Sequence, residues 1–251
     1  MRIQFCSDLH LEMRINYQLL ETEADVIVLA GDISAGVRGI EFAGQESLRQ
    51  NKPVIYVAGN HEHYHHDYSE NMANMKALER QFPLLHFLEC DELILDGTRF
   101  LGATLWTDYV GDGSIDKQIS MEQIGRGLND HHLIRYQGST FSPANALALH
   151  NKTRTWLSKK LDTPFDGKTV VVSHHGPSLT TQHKHFKTDA ISAAFLSDLD
   201  PLVSKADLWI YGHSHSGLDS SIGKCRLVSN QLGYPMENLP VEFRADWVVE
   251  L

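Results

Sequence analysis

Cysteine is scarce in this sequence: only Cys6, Cys90 and Cys225 occur among 251 residues. An odd and scattered set of three argues against a disulfide framework. Each cysteine lies in or near an apolar segment, so we expect buried reduced thiols. Long apolar runs are also missing, because no stretch comes near the roughly eighteen residues that a transmembrane helix needs. We therefore expect no membrane span and no membrane partner.

Positive charge is in short supply as well. The chain has 22 Lys and Arg residues against 32 Asp and Glu residues, a formal net charge of −10, and no basic run. An acidic surface repels polyanions, so nucleic acid is not an expected partner and a nuclease is a minor alternative. The hydrophobic fraction of 42% is ordinary for a globular protein, and we predict a single domain over residues 1–251.

Five short polar segments each follow an apolar run. These runs are short and rich in β-branched residues, and they predict buried strands. In an open α/β sheet a site forms beyond the carboxyl ends of the strands, so we expect the five segments to meet at one edge. They are Asp8-Leu9-His10, Gly31-Asp32, Gly59-Asn60-His61-Glu62, Ser173-His174-His175 and Gly212-His213-Ser214-His215.

Each segment taken alone has a simpler explanation. The second is typical of a turn, with glycine at positive φ and aspartate bonding its own backbone, and the third can form a turn too. The last is more specific, because the imidazoles of His213 and His215 can both face one cavity. The set as a whole predicts a transition-metal site, since imidazole and carboxylate together suit Mn, Fe, Zn or Co.

With these segments in this order, the chain resembles the calcineurin-like metallophosphoesterases from Asp8 to His215. The resemblance implies an α/β fold in which a two-sheet β-sandwich is flanked by helices. It also implies a dinuclear centre of divalent or mixed-valence transition-metal ions (Mn, Fe or Zn), with His61 as the catalytic acid or electrostatic stabiliser. The implied metal ligands are Asp8, His10 and His215 for the first ion, Asn60, His174 and His213 for the second, and Asp32 as the bridge.

These residue types suit phosphoester hydrolysis. Two metal ions ~3.5–4 Å apart lower the pKa of water and neutralise phosphate oxygens, so hydroxide can attack phosphorus. His61 would protonate the leaving oxygen. We expect a small phosphomonoester or phosphodiester as substrate, and the alternative outside enzymes is a non-catalytic metal-binding scaffold. A cleaved signal peptide would remove Asp8, so a cytoplasmic location is expected.

The second motif departs from the family pattern. Many members read Gly-Asp-x-x-Asp there, and the last Asp orients the catalytic His. This chain has Ala35 at that position. Two alternatives follow: another carboxylate, Glu62 or Asp67, orients His61, or His61 is oriented less tightly.

Other positions narrow the choice of branch and of ligand. The Ser/Thr protein phosphatase branch has Gly and Arg where this chain has Leu11 and Tyr64, so that branch is disfavoured. In the fourth motif we favour His174 over His175 as the ligand. His174 follows the strand directly, and the next side chain of an extended segment points to the opposite side.

The remaining pattern predicts the elements around the motifs. Helices are predicted over residues 36–50, 67–81, 142–161 and 192–204, the last one interrupted or restarted near Pro201. Strands are predicted over residues 85–90, 92–95, 99–106, 225–228 and 243–249. Segments 107–141 and 176–189 are predicted as loops that wall and cover the site, with Arg126, Arg135 and Arg154 as candidate phosphate clamps.

The segment from Asn230 to Pro235 resembles an Asn-x-x-Gly-Tyr-Pro tail of some small bacterial metallophosphoesterases. Gly233 supplies backbone freedom and Pro235 fixes the direction of the chain. We expect a structural turn in which Asn230 bonds a motif loop.

Overall fold

The computed structural model describes residues 1–185 and 189–251. Its first sheet consists of β1 (Arg2–Cys6), β2 (Val26–Ala30), β3 (Val54–Val57), β4 (Leu85–Phe87) and β13 (Val248–Glu250). The strand order is β13-β1-β2-β3-β4. Strands β1 to β4 are parallel, and β13 pairs antiparallel with β1. The carboxyl ends of β1, β2 and β3 therefore lie at the same edge.

The second sheet also has a parallel centre. Its strands are β5 (Asp91–Leu95), β6 (Thr98–Ala103), β9 (Lys168–Ser173), β10 (Leu208–Ile210), β11 (Leu218–Ile222) and β12 (Cys225–Ser229). The order is β11-β12-β10-β9-β6-β5. The inner pairs are parallel, whereas β5 and β11 pair antiparallel at the two edges.

The two sheets pack face to face through a shared apolar layer. On β2, Val26 and Val28 face this layer and contact the same cluster as Val170 of β9. The alternate residues Ile27 and Leu29 belong to the cluster on the other face. Both faces of the strand are covered, which explains why the sequence shows continuous apolar runs instead of an alternating pattern.

The described residues also form six α-helices. They are α1 (Arg38–Gln50), α2 (Tyr68–Glu79), α3 (Lys117–Gly127), α4 (Asp130–Leu133), α5 (Pro143–Asp162) and α6 (Asp200–Val203). Helices α1 and α2 pack on the first sheet, and α5 and α6 pack on the second. The predicted α/β architecture, with two major sheets flanked by helices, is confirmed.

The start of helix α5 is determined by residues next to it in the sequence. The Ser142 hydroxyl accepts a bond from the Asn145 amide, and the Asn145 side chain accepts one from the Ser142 amide. This reciprocal cap and a proline at the first helical position satisfy or remove amides that the first turn leaves unpaired. The prediction over 142–161 is confirmed to within one residue.

Three predicted elements are wrong in whole or in part. Segment 107–141 is not one long loop, because it contains α3, α4 and a small hairpin of β7 (Arg135–Tyr136) and β8 (Ser139–Thr140). Within residues 192–204 the predicted restart near Pro201 is found as the short α6, but the residues before it form a 3₁₀ turn at Ser192–Ala194 instead of a helix. The last strand is Val248–Glu250, not 243–249.

All three cysteines are free thiols; Cys6 and Cys225 are buried and Cys90 is half-buried. None of the helices in the described part of the chain is long and apolar enough to cross a membrane.

Candidate metal centre

The five motif segments meet at one edge of the sandwich, where β1, β2, β3, β9 and β10 end. Five of their side chains sit on backbone that non-glycine residues rarely adopt. The φ angles are 55° at Asp8, 46° at His10, 54° at Asp32, 74° at His213 and 48° at His215. A left-handed conformation of this kind costs about 1–3 kcal/mol and persists only where its surroundings enforce it. Strain concentrated in these loops is typical of a functional site.

The first cluster contains Asp8, His10 and His215. The Nε2 atoms of His10 and His215 lie 3.1 Å apart, and His215 Nε2 lies 3.4 Å from Asp8 Oδ1. The Nδ1 atoms face carboxylates instead: His10 faces Glu12 at 3.2 Å and His215 faces Glu237 at 2.6 Å. When the Nδ1 atoms carry the protons, the Nε2 lone pairs of His10 and His215 point at each other and at the Asp8 carboxylate. That arrangement fits a cation between them.

The second cluster contains Asp32, Asn60, His174 and His213. His174 Nδ1 lies 2.9 Å from the carbonyl oxygen of Ala30 and donates to it. Its Nε2 lone pair then faces Asn60 Oδ1 at 3.0 Å and Asp32 Oδ1 at 3.4 Å. The buried Nε2 of His213 has no hydrogen-bond partner among the described residues. Acceptors that converge without a donor are again what a cation requires.

Asp32 lies between the two clusters. One ligand atom from each of Asp32, His174 and His213 lies within 4.8 Å of the other two, and the same holds for Asp32, His10 and His61. Only glycine fits at position 59, because a Cβ there would collide with the Asp32 carboxylate. The structure thus brings all seven predicted ligands to one place.

The electrostatics follow from this crowding. Burial opposes ionisation of Asp32, but the imidazoles of His174 and His61 outweigh it and lower the pKa of Asp32 well below its usual value. Burial likewise opposes protonation of His215, but its partners, first among them Asp8, raise the pKa of His215 to about 10. These carboxylates and imidazoles therefore stabilise charge in one another.

His174 and His175 have different surroundings. While His174 Nε2 faces Asp32, His175 Nδ1 lies 3.2 Å from the carbonyl oxygen of Thr104. Burial and then the charge of His174 lower the pKa of His175 to about 3. His175 is a neutral packing residue whose ring lies 4.2 Å, centroid to centroid, from that of His213.

The carboxylate beside His61 is not one that the sequence indicated. His61 Nδ1 lies 3.2 Å from Glu12 Oε1, and His61 Nε2 lies 3.1 Å from the Tyr234 hydroxyl. The expectation of Glu62 or Asp67 is wrong. The local sequence does not indicate the role of Glu12, because only the tight 3₁₀ turn after His10, at Leu11–Met13, brings Glu12 back toward the site.

Both rejected carboxylates have structural roles instead. The Glu62 carboxylate accepts bonds from the amides of Asp32, Ile33 and Gly59 at 3.0, 2.8 and 2.7 Å. It therefore joins the second motif to the third. Asp67 caps α2 by accepting bonds from the first-turn amides Ser69 and Glu70.

Asp130 is a further buried residue of the site that the sequence did not single out. Its Oδ1 accepts bonds from Asn60 Nδ2 and from the Tyr64 hydroxyl, both at 2.8 Å. A carboxylate can only accept hydrogen bonds, so Asp130 holds the amide nitrogen of Asn60. The Oδ1 atom of Asn60 is then left facing His174. The Asp130-His131-His132 run was the available signal, but nothing in it showed that Asp130 is buried.

The tail after the last motif also reaches the site. Asn230 bonds the backbone of Phe5 and Arg244, as a structural residue should. Tyr234 and Glu237 go further, since they contact His61 and His215. The expectation of a purely structural turn is therefore wrong for this part of the tail.

A cavity of ≈ 310 Å³ opens onto the clusters. Asp32, Asn60, His61 and His213 line it, together with residues 127–130 from the segment that was predicted to wall the site. Arg126, Arg135 and Arg154 are not among its described lining residues. Arg135 and Arg154 each line a different cavity. In the second predicted loop, residues 186–188 lie outside the described residues.

Comparisons with known proteins agree with this arrangement. The calcineurin-like phosphoesterase family model matches residues 1–217. An uncharacterized protein, L509, of Acanthamoeba polyphaga mimivirus is 23% identical, covering 94% of this chain and 92% of its own length. The crystal structure of a phosphopantetheinyl hydrolase (PptH) from Mycobacterium tuberculosis superposes with a TM-score of 0.71 at 17% identity, covering 93% of this chain and 89% of that one. The family match over most of the sequence shows that this chain belongs to the calcineurin-like phosphoesterases.

Proposed function

We propose that the chain hydrolyses small phosphoesters with two transition-metal ions, Mn, Fe or Zn. Asp8, His10 and His215 would hold one ion, and Asp32 would bridge to the other. Asn60, His174 and His213 would hold the second. The observation that carries the proposal is the pair of Nε2 atoms of His10 and His215, 3.1 Å apart with both Nδ1 atoms facing carboxylates. Bound metal ions would supply a nucleophilic hydroxide at neutral pH and neutralise phosphoryl oxygens.

His61 is proposed as the acid that protonates the leaving oxygen. Glu12 accepts the bond from Nδ1–H, so Nε2 is the atom that carries the mobile proton. The Tyr234 hydroxyl lies 3.1 Å from His61 Nε2, at the position that the leaving oxygen of a substrate would occupy. Glu12 contacts both His10 and His61, so one carboxylate fixes the tautomer of a proposed ligand and of the proposed acid.

Turnover separates this proposal from a metal-binding scaffold. Metal-stripped protein is supplied with Mn²⁺ and assayed with p-nitrophenyl phosphate and bis-p-nitrophenyl phosphate side by side. We expect no turnover without metal and restored turnover with it, and the faster ester indicates the substrate class. Two bound ions per chain with no turnover of either ester, or of a phosphopantetheinyl ester, would favour the scaffold.

Asp130 is proposed to fix the metal-facing atom of Asn60. Replacing Asp130 by asparagine gives Asn60 a partner that can also donate, so the amide is free to flip. We expect the affinity for one of the two ions to fall about 10–100-fold, the usual effect of losing a carboxylate behind a ligand. Calorimetric Mn²⁺ titration measures this directly.

The matched control for this prediction is Asp112→Asn, the same exchange at an exposed loop position. It should leave both Mn²⁺ affinities unchanged. Equal affinities in Asp130→Asn and the unsubstituted protein would show that Asp130 does not position Asn60.

A further inference from the structure

A second cavity adjoins the one over the metal centre. Its volume is ≈ 230 Å³, and most of its exposed surface is carbon, contributed by Ile191 and Phe195 among others. His183, Phe195 and Ser214 line both cavities, so the two spaces share a wall. A group bound at the metal centre could therefore extend into the apolar cavity.

The distance from the proposed metal ligands to this cavity is short. The Phe195 ring packs nearly parallel to the His213 ring, with 4.7 Å between their centroids and an angle of 27° between their planes. Phe195 therefore stacks on a proposed ligand and also lines the apolar space. Ile191 lines the same apolar space and is 38% exposed, so a bound group could cover it.

Ile191 also reaches toward the opposite segment. A Cβ built at Gly127 would lie 3.8 Å from Ile191 Cδ1, and Gly127 lines the cavity over the metal centre. Residues from two distant parts of the chain thus lie beside both spaces. Two adjoining spaces of this kind have the form of a substrate site with a polar reaction end and an apolar end.

We propose that the adjoining cavity binds an apolar organic group of the phosphoester substrate. This inference rests on the proposed function, because it takes the phosphoryl group to lie at the metal centre. Its size is sufficient: an apolar protein cavity of about 150 Å³ binds benzene, so this one accepts a phenyl group or a chain of about six carbons. The substrate class is a phosphoester of an apolar alcohol.

The test measures binding, not turnover. Methyl-, butyl- and hexylphosphonate, which cannot be hydrolysed at phosphorus, are titrated calorimetrically into the Mn²⁺-loaded protein. The Kd should fall about fourfold for each methylene that enters the cavity, as expected for apolar burial. The Ile191→Ser variant should retain the Kd for methylphosphonate and lose most of the gain for hexylphosphonate.

Ile94→Ser is the matched control, because Ile94 is 57% exposed on the edge strand β5. It should show the full dependence on chain length. Equal Kd values for the three phosphonates, no binding of hexylphosphonate, or an undiminished gain in Ile191→Ser would overturn the subsite.

Failure of the two proposals can be told apart. A chain-length gain that depends on Ile191, in protein that hydrolyses no ester, would keep the subsite and refute hydrolysis. Hydrolysis with chain-length-independent phosphonate binding would keep the enzyme and refute the subsite.

Discussion

Replacing Asp32 by asparagine is expected to lower kcat/KM for phosphoester hydrolysis by about a thousandfold or more. The proposed bridge loses its charge, and the loss of a metal ion removes several kcal/mol of transition-state stabilisation. Asparagine keeps an acceptor oxygen for the His61 amide, which lies 2.8 Å from Asp32 Oδ1. Metal per chain, measured alongside turnover, should fall below two.

The backbone makes asparagine the right replacement for Asp32. The residue has a φ of 54°, a conformation that asparagine tolerates and alanine does not. The matched control is Asp96→Asn, since Asp96 is an exposed turn residue with a φ of 47°. Asp96→Asn should leave both turnover and metal content unchanged. Full activity with two ions in Asp32→Asn would refute the bridge.

Replacing His61 by glutamine is expected to slow esters of alkyl alcohols by about 10²–10⁴-fold. The reason is that an alkoxide leaves poorly without a proton, whereas p-nitrophenolate leaves as an anion. Hydrolysis of p-nitrophenyl esters should therefore fall much less. Rate measured against the pKa of the leaving alcohol gives a steeper dependence in the variant than in the unsubstituted protein.

Glu12→Gln should also make the rate depend more steeply on the pKa of the leaving alcohol, but by a smaller amount. The substitution weakens the hydrogen bond that orients His61 without removing the acid. His132→Gln, an exposed histidine, is the control and should leave the plot unchanged. A loss in His61→Gln that is equal for every leaving group, together with a loss of bound metal, would indicate that His61 is a ligand.

The sequence predicts the site best where a functional residue directly follows a buried strand. Residues Val26 to Ala30 are all apolar because both faces of β2 are covered, and Asp32 follows where the strand must end. The same pattern before His174 and His213 located the site edge. The fold class and the meeting of the motifs followed from this local rule.

The partners behind the motifs could not be predicted, because they depend on tertiary approach. Asp130 is 70 residues from Asn60 and lies in a segment whose short helices were not recognised. Glu237 reaches His215 from an irregular tail with no periodic pattern. At such positions the residues next to a carboxylate in the sequence do not indicate which side chain it contacts in the fold.

The predicted helix over 192–204, with its restart near Pro201, is found only in part. Pro201 tolerates only the start of a helix, so the chain restarts there as the short α6. The preceding residues form one 3₁₀ turn and place Phe195 against His213. This contact joins residues that are far apart in the chain, so the local sequence does not indicate it.

The most direct measurement is anomalous diffraction from a crystal of the Mn²⁺-loaded protein, recorded at the manganese edge. We predict two peaks ~3.5–4 Å apart, one beside Asp8, His10 and His215 and the other beside Asn60, His174 and His213, with Asp32 between them. A single peak, or two peaks without Asp32 between them, would contradict the dinuclear centre on which the proposed hydrolysis depends.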